Sequence, residues 1–479
     1  MSFVAHQEPR LWAEQHFSGA EMSDVRRTDR IVTIAEAMAA TPGGSIPTLF
    51  AHPYDIKAAY NLFKHPEATP DNVQAGHREL VLSEMQTPGV YLLLEDTTEL
   101  SFSGRKPVPG LGPIGNGAAG LQGFFVHSVL GARWSPPPAA PQGSRRPAVE
   151  VLGLCDQQYY VRKPRAPGTP RESSQARKYR ERESYKWEHA GQRIGPAPEG
   201  VRWIRIGDRE ADIYEHLRSC HMLGHGFVIR AAKDRALCHP QTGKRAGRLF
   251  EVVRRAVPLD EFVLELRARP NQSARRATLL LSATAIESSS PWRPGYGLGR
   301  QPSIQCTAVR VWEPQPDVHE GLEWILLCDA KIESFEQARA CALQYATRWL
   351  IEEFHKALKS GVGAERLQLE TAEGLCAAVA LMSVVALRLI DLREHVRRMP
   401  ERPAEEAGLD PLELEVLRTR TGRKISTVRE VALAIGRLGG HLNRKGDGLP
   451  GWATLWRGMQ TLSMLVEGVR LARKLTHFG

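Results

Sequence analysis

The feature that most narrows the fold is a change of rhythm near residue 88. "GVYLLLEDTTEL", "GFFVHSVLGAR" and "AVEVLGLCDQQYYVR" are apolar runs of strand length, the last two parted by the Pro-rich "SPPPAAPQGSRRP". A polar helical stretch follows around "SSQARKYRERESYKWEHAG". Then come the strand "VRWIRI", a Gly207-Asp208 turn, the helix "READIYEHLRSC" and the strand "GFVIRAA". Strands in a row followed by alternating helix and strand predict an α/β fold, a mixed sheet with helices on its faces.

The flanks read differently. Residues 1–72 predict a small helical domain. Ser23 is placed to cap a helix through "DVRRTDRIVTIAEAMAA", whose Ile31, Ile34, Ala35 and Met38 form an apolar stripe. "PGGSIP" breaks the chain, and "DIKAAYNLFKHP" is a second helix stopped by Pro66. Residues 73–369 hold the core. Within it, 233–325 is a β-rich insertion ("FVLELRA", "ATLLLSATA", "SIQCTAVRVWEP", "LEWILLCDA"). Residues 370–479 are almost wholly helical in pattern.

A chain of 479 residues is too long for one ordinary core. Its net charge of +10 favours a polyanionic partner, without separating nucleic acid from acidic lipid. The first residues contain no apolar signal-like run. The longest uncharged apolar run, Gly374 to Leu387, is 14 residues, which predicts a buried helix and no membrane span. The seven cysteines form no C-x-x-C pair, as expected of a reduced cytoplasmic protein without structural zinc. There is no Walker A loop, G-x-G-x-x-G fingerprint or internal repeat.

Chemistry is suggested by three carboxylates. Asp96 and Asp208 each follow an apolar strand run, the position where catalytic groups commonly stand. The third lies in "YATRWLIEEFHKALKSG". Taken as one helix at about 100° per residue, Arg348, Glu352, Lys356 and Lys359 fall within roughly 60° of Tyr345. Leu350, Phe354 and Leu358 form the apolar back, and Glu353 points away from Glu352. Clustered carboxylates repel one another but suit Mg²⁺ or Mn²⁺ as oxygen ligands. Each has a plainer alternative: Asp96 as a turn residue, Asp208 as a helix cap, and the helix face as a solvated stripe with pairs such as Glu352–Lys356.

These segments also resemble a known family. "YATRWLIEEFHKALKSGVGAER" fits the Y-x2-R-x3-E-x6-K signature of DDE transposases of the insertion-sequence-four group, through Tyr345, Arg348, Glu352 and Lys359. "EDTTEL" and "IGDREADIY" resemble its other acidic motifs. "SDVRRTDR", "FVHSVL" and "GWATLWRGM" extend the likeness, to transposases such as that of the composite transposon Tn-five, over nearly the whole chain.

The resemblance implies an RNase H-like catalytic core between an N-terminal helical DNA-end-binding domain and a C-terminal helical dimerisation domain. It implies that Asp96, Asp208 and Glu352 bind two Mg²⁺ or Mn²⁺ ions and are catalytic. Tyr345, Arg348 and Lys359 would hold DNA at the scissile phosphate, with Lys356 on the same stripe. Arg230 would touch DNA, and Trp324 would stack on a flipped base, its alternative being a strand-core aromatic. Arg26, Arg27 and Arg30, placed where a helix dipole disfavours cations, are candidates for DNA contact. The chain departs from the family mainly in its loops, with the Pro-rich segment near 135–147 and the linker near 392–412 its own.

The expectation is therefore a bacterial, cytoplasmic, nucleoid-associated cut-and-paste transposase. It would act as a homodimer in a synaptic complex with element-end inverted repeats and target DNA. One rival is a catalytically silent DNA-binding regulator of the same fold, which would not need all three carboxylates. The other is a hydrolase of small phosphoesters, disfavoured by the basic charge.

Overall fold

The computed structural model describes residues 8–115, 120–136, 147, 149–163, 182–239, 241–266, 275–290, 301–314, 321–444 and 447–475. Most of the Pro-rich segment near 135–147, and much of the polar stretch before Lys186, lie outside the described residues.

Five helices open the chain: α1 (Pro9–Phe17), α2 (Val25–Ala40), α3 (Ile46–Leu49), α4 (Pro53–Phe63) and α5 (Pro70–Glu84). All but α2 carry proline in the first turn, where a missing N–H leaves no bond unmade. The stripe of α2 is buried as its spacing predicts, through Ile31, Ile34, Ala35 and Met38. Its cap differs by one residue from the expected Ser23. The Asp24 side chain accepts from Arg26 N, while the Ser23 hydroxyl donates to Glu67. Losing such a cap costs about 1 kcal/mol.

The core strands are β1 (Gly89–Ser101), β2 (Gly112–Pro113), β3 (Gln122–Trp134) and β4 (Glu150–Tyr160). They are followed by α6 (Lys186–Ile194), β5 (Val201–Gly207), α7 (Tyr214–Met222) and β6 (Gly226–Arg230). The β-rich segment adds β7 (Ala236–Cys238), β8 (Arg245–Arg248), α8 (Leu249–Arg254), β9 (Asp260–Leu266), β10 (Arg275–Ser288), β11 (Ile304–Trp312) and β12 (Glu323–Cys328).

β1 pairs antiparallel with β3 and parallel with β5; β5 is parallel to β6, and β6 antiparallel to β12. The β-rich segment is therefore not a separate layer. It prolongs the same mixed sheet through β12, β11 and β10.

Alternation along β1 and β5 divides the side chains between two faces. Leu92, Leu94, Ile204 and Ile206 share one core with the helices that follow β12, α9 (Phe335–Thr347), α10 (Trp349–Lys356) and α11 (Ala372–Arg398). This is the front face. Tyr91, Leu93 and Trp203 pack at the back against Ala190 and Ile194 of α6.

The stretch read as one helix from Tyr345 is two. Arg348 ends α9 and begins α10, with tight bonds from Arg348 N to Tyr345 O and from Ile351 N to Arg348 O. A π-helical turn, Ala357–Gly361, follows, with Val362 N bonded to Ala357 O. A constant 100° step does not hold across these changes of pitch.

α11 is the one described helix long and apolar enough to cross a membrane, but 89% of its apolar window is buried inside the protein. It is a core helix that continues past the apolar run noted in the sequence. Thereafter α12 (Pro411–Thr421), α13 (Val428–Leu438) and α14 (Trp452–Leu475) enclose a smaller core that includes Leu417, Ile435 and Leu462. Helices α13 and α14 approach closely at Gly458, where a Cβ would lie 1.9 Å from Ile435 O.

Candidate active site

The ladder between β1 and β5 ends at the pair Leu94–Ile206. Two residues further on, the same register sets Asp96 level with Asp208. β1 does not stop at Asp96, as the sequence suggested, but continues to Ser101 because β3 goes on supplying partners, Ser128 opposite Asp96 among them. What ends beside Asp96 is β5. Asp208 leaves that strand as the cap of a short 3₁₀ turn, its Oδ1 accepting from Glu210 N at 2.8 Å. The capping alternative thus describes its local geometry without using up its second oxygen.

The front-face helices supply the rest. Arg348, at the joint of α9 and α10, donates to Glu352 and lies 3.4 Å from Asp96 Oδ2. Glu352 thus pairs with Arg348, where the solvated-stripe alternative offered Lys356. Burial pushes the Asp96 carboxyl up to about 6; Asp208 and Glu352 add to the rise and Arg348 opposes it. Burial works against the Arg348 charge, yet Tyr345, Asp96, Glu352 and Asp208 together hold its pKa above the usual arginine value. Three carboxylates thus act electrostatically on one guanidinium. Among the described residues, no three His, Cys, Asp or Glu side chains stand close enough to enclose a metal ion. The donor chemistry alone suits a hard cation: all are carboxylate oxygens, and a positive group already lies across two of them.

Tyr345 is buried, and its ring meets Trp324 edge-on, with centroids 5.1 Å apart. Trp324 stands on β12 opposite Val311 and is only partly buried. Arg230, at the end of β6, donates to Glu323 O at 3.1 Å. Trp324 thus meets Tyr345, which lies one helical turn before Arg348, and Arg348 reaches Asp96. Lys356 is exposed at the end of α10, and Lys359 lies half-buried on the π turn.

Residues 9–68 match the family model described as transposase DNA-binding, and residues 384–479 match the transposase Tn5 dimerisation domain. The two matches, one near each end of the chain, support a Tn5-like transposase. It binds DNA and forms a homodimer. The first match covers α1 to α4 of this transposase, and the second covers the end of α11 and all of α12 to α14.

Within the first match the arginines are not bare. Arg26 is exposed and pairs with Asp24 at 2.8 Å, Arg27 with Glu67 at 2.7 Å, and Arg30 with Asp55 at 2.7 Å. These carboxylates offset the charge at the start of α2, so opposition to the helix dipole no longer needs DNA to explain it. The Arg26–Asp24 pair is solvent-exposed and contributes little, whereas the pairs of Arg27 and Arg30 are part-buried.

The sequence reading assigned no role to the opposite face of the transposase's β1 and β5. There Glu95, Arg205 and His127 are fully buried. The available signal was the adjacent pair Glu95-Asp96: neighbours on a strand point to opposite faces, so one acid had to be buried and matched.

Proposed function

We propose that this transposase cuts and joins DNA by the cut-and-paste route of DDE enzymes, within the insertion-sequence-four group and on an RNase H-like core. The observation that carries the reading is that Arg348 bridges Asp96 and Glu352, while Asp208 leaves β5 just beyond the ladder that pairs it with β1. Asp96, Asp208 and Glu352 would hold two Mg²⁺ or Mn²⁺ ions, whose chemistry is to activate water or a 3′-hydroxyl and to neutralise the leaving oxygen.

The remaining residues bind and orient. Arg348 and Lys359 hold the scissile phosphate, Arg230 and Lys356 the flanking backbone, and Arg26, Arg27 and Arg30 the element end, exchanging internal pairs for phosphates. Water opens one strand. The freed 3′-hydroxyl then attacks the opposite strand to give a hairpin, in which Trp324, braced by Tyr345, takes a base from the stack. Water reopens the hairpin, and the same hydroxyl attacks target DNA.

Asp96→Ala, Asp208→Ala and Glu352→Ala should each abolish Mg²⁺-dependent nicking of a labelled element end while leaving its binding in a gel-shift assay intact. Normal nicking by any one of them overturns the assignment.

A further inference from the structure

The backbone ladder that fixes β5 against β1 stops at Leu94–Ile206, and Asp96 and Asp208 stand just beyond it. Two like charges on adjacent strands push those strand ends apart. On the opposite face, where the ladder stops, the Glu95 carboxylate receives two hydrogen bonds from the Arg205 guanidinium. Glu95 precedes Asp96 on β1, and Arg205 lies three residues before Asp208 on β5.

We propose that the Glu95–Arg205 pair is a positioning device that sets the separation of Asp96 and Asp208; the inference rests on reading those two carboxylates as metal ligands. The surroundings are built for it. Arg205 also donates to Trp187 O at 2.7 Å. Helix α6 carries glycine at the point of contact, where a Cβ on Gly191 would come within 2.5 Å of Arg205 Nη1. Beside the pair, His127 Nε2 lies 3.5 Å from Glu95, and its Nδ1 shares a 3.0 Å hydrogen bond with Thr97. Thr97 N in turn donates to Asp96 Oδ1 at 2.8 Å. His127 therefore stands between the buried pair and the Thr97 that holds the Asp96 carboxylate.

A fully buried ion pair is a poor way to gain stability, since apolar residues of similar size commonly serve as well or better. It does fix geometry. A bidentate carboxylate–guanidinium contact permits one separation and one orientation of the two strands.

The test removes both charges while keeping volume, as Glu95→Met with Arg205→Met. Mn²⁺ binding to the purified full chain is followed by electron paramagnetic resonance, and the specific site is defined as the binding lost in Asp96→Ala. The double variant should melt within a few degrees of the parent yet bind Mn²⁺ at that site about tenfold more weakly or worse. Arg205→Lys, which keeps the charge but not the fork, decides the matter should the double variant not fold, and should also weaken Mn²⁺ binding. Parental affinity in whichever variant folds overturns the positioning role while leaving the metal reading intact. If the parent shows no Mn²⁺ binding that Asp96→Ala removes, the metal reading falls and this inference falls with it.

Discussion

The two faces of β1 and β5 carry opposite kinds of charge arrangement within a few residues of each other. On the back, Glu95 and Arg205 form a matched pair, both fully buried. On the front, Asp96 and Glu352 contact one arginine and Asp208 adds a third negative charge to its surroundings, all within partial reach of water. The charges at the back offset each other. The front is short of positive charge, and the rise of the Asp96 pKa to about 6 reflects burial made worse by its acidic neighbours. Side-chain alternation lets one pair of strands carry both arrangements: a neutralised anchor behind and an under-neutralised site before it. A surface left in that condition is suited to a cation or to polyanion chemistry that brings cations with it.

The comparison breaks first at Glu353. It faces away from Glu352, as expected, but is buried against Arg393 and accepts from Trp349 Nε1 at 3.2 Å. It therefore belongs with the anchors. Glu353→Ala should cost about 1–3 kcal/mol of stability in a denaturant titration, because it removes one of the two carboxylates that hold the buried Arg393, leaving Glu394. A variant as stable as the parent would place Glu353 among the idle surface charges.

Trp324 sharpens the front side of the comparison. Trp324→Ala should slow hairpin formation by about ten- to a hundredfold, as expected from the loss of one stacked base, and let nicked DNA accumulate. Trp324→Phe should recover part of that loss. Equal slowing of nicking and hairpin formation in a protein with a lowered melting point would make Trp324 a core residue only.

The last effect is a pH-dependent one. Asp96 has a folded pKa of about 6, raised above its unfolded value. Its protonated form therefore favours folding at low pH, and that contribution is lost as pH rises through about 6. In metal-free buffer at neutral pH, Asp96→Asn should raise stability by about 1–3 kcal/mol, and the gain should vanish in acid. A gain that is equal at both pH values would point to packing instead of charge.

Much of this was legible in the sequence, for physical reasons that can be named. Asp96 and Asp208 end apolar runs, and strand periodicity fixes which residues flank them. The stripe of α2 and the burial of α11 follow from helical spacing and composition. What was hidden depends on partners far away in the chain. β1 outruns Asp96 because β3 keeps pairing with it. Arg27 and Arg30 find Glu67 and Asp55 only once the helices have packed. The break at Arg348 leaves no local signature, since neither proline nor glycine stands there. Glu95 looked like half of an acidic dipeptide until Arg205, on another strand, accounted for it.

The most direct test of the account is anomalous diffraction from the protein bound to a DNA end and soaked in Mn²⁺. The account predicts manganese peaks coordinated by the carboxylates of Asp96, Asp208 and Glu352, with Arg348 drawn away from them onto a phosphate. Manganese bound elsewhere, with Arg348 still bridging Asp96 and Glu352 in the presence of DNA, would contradict it.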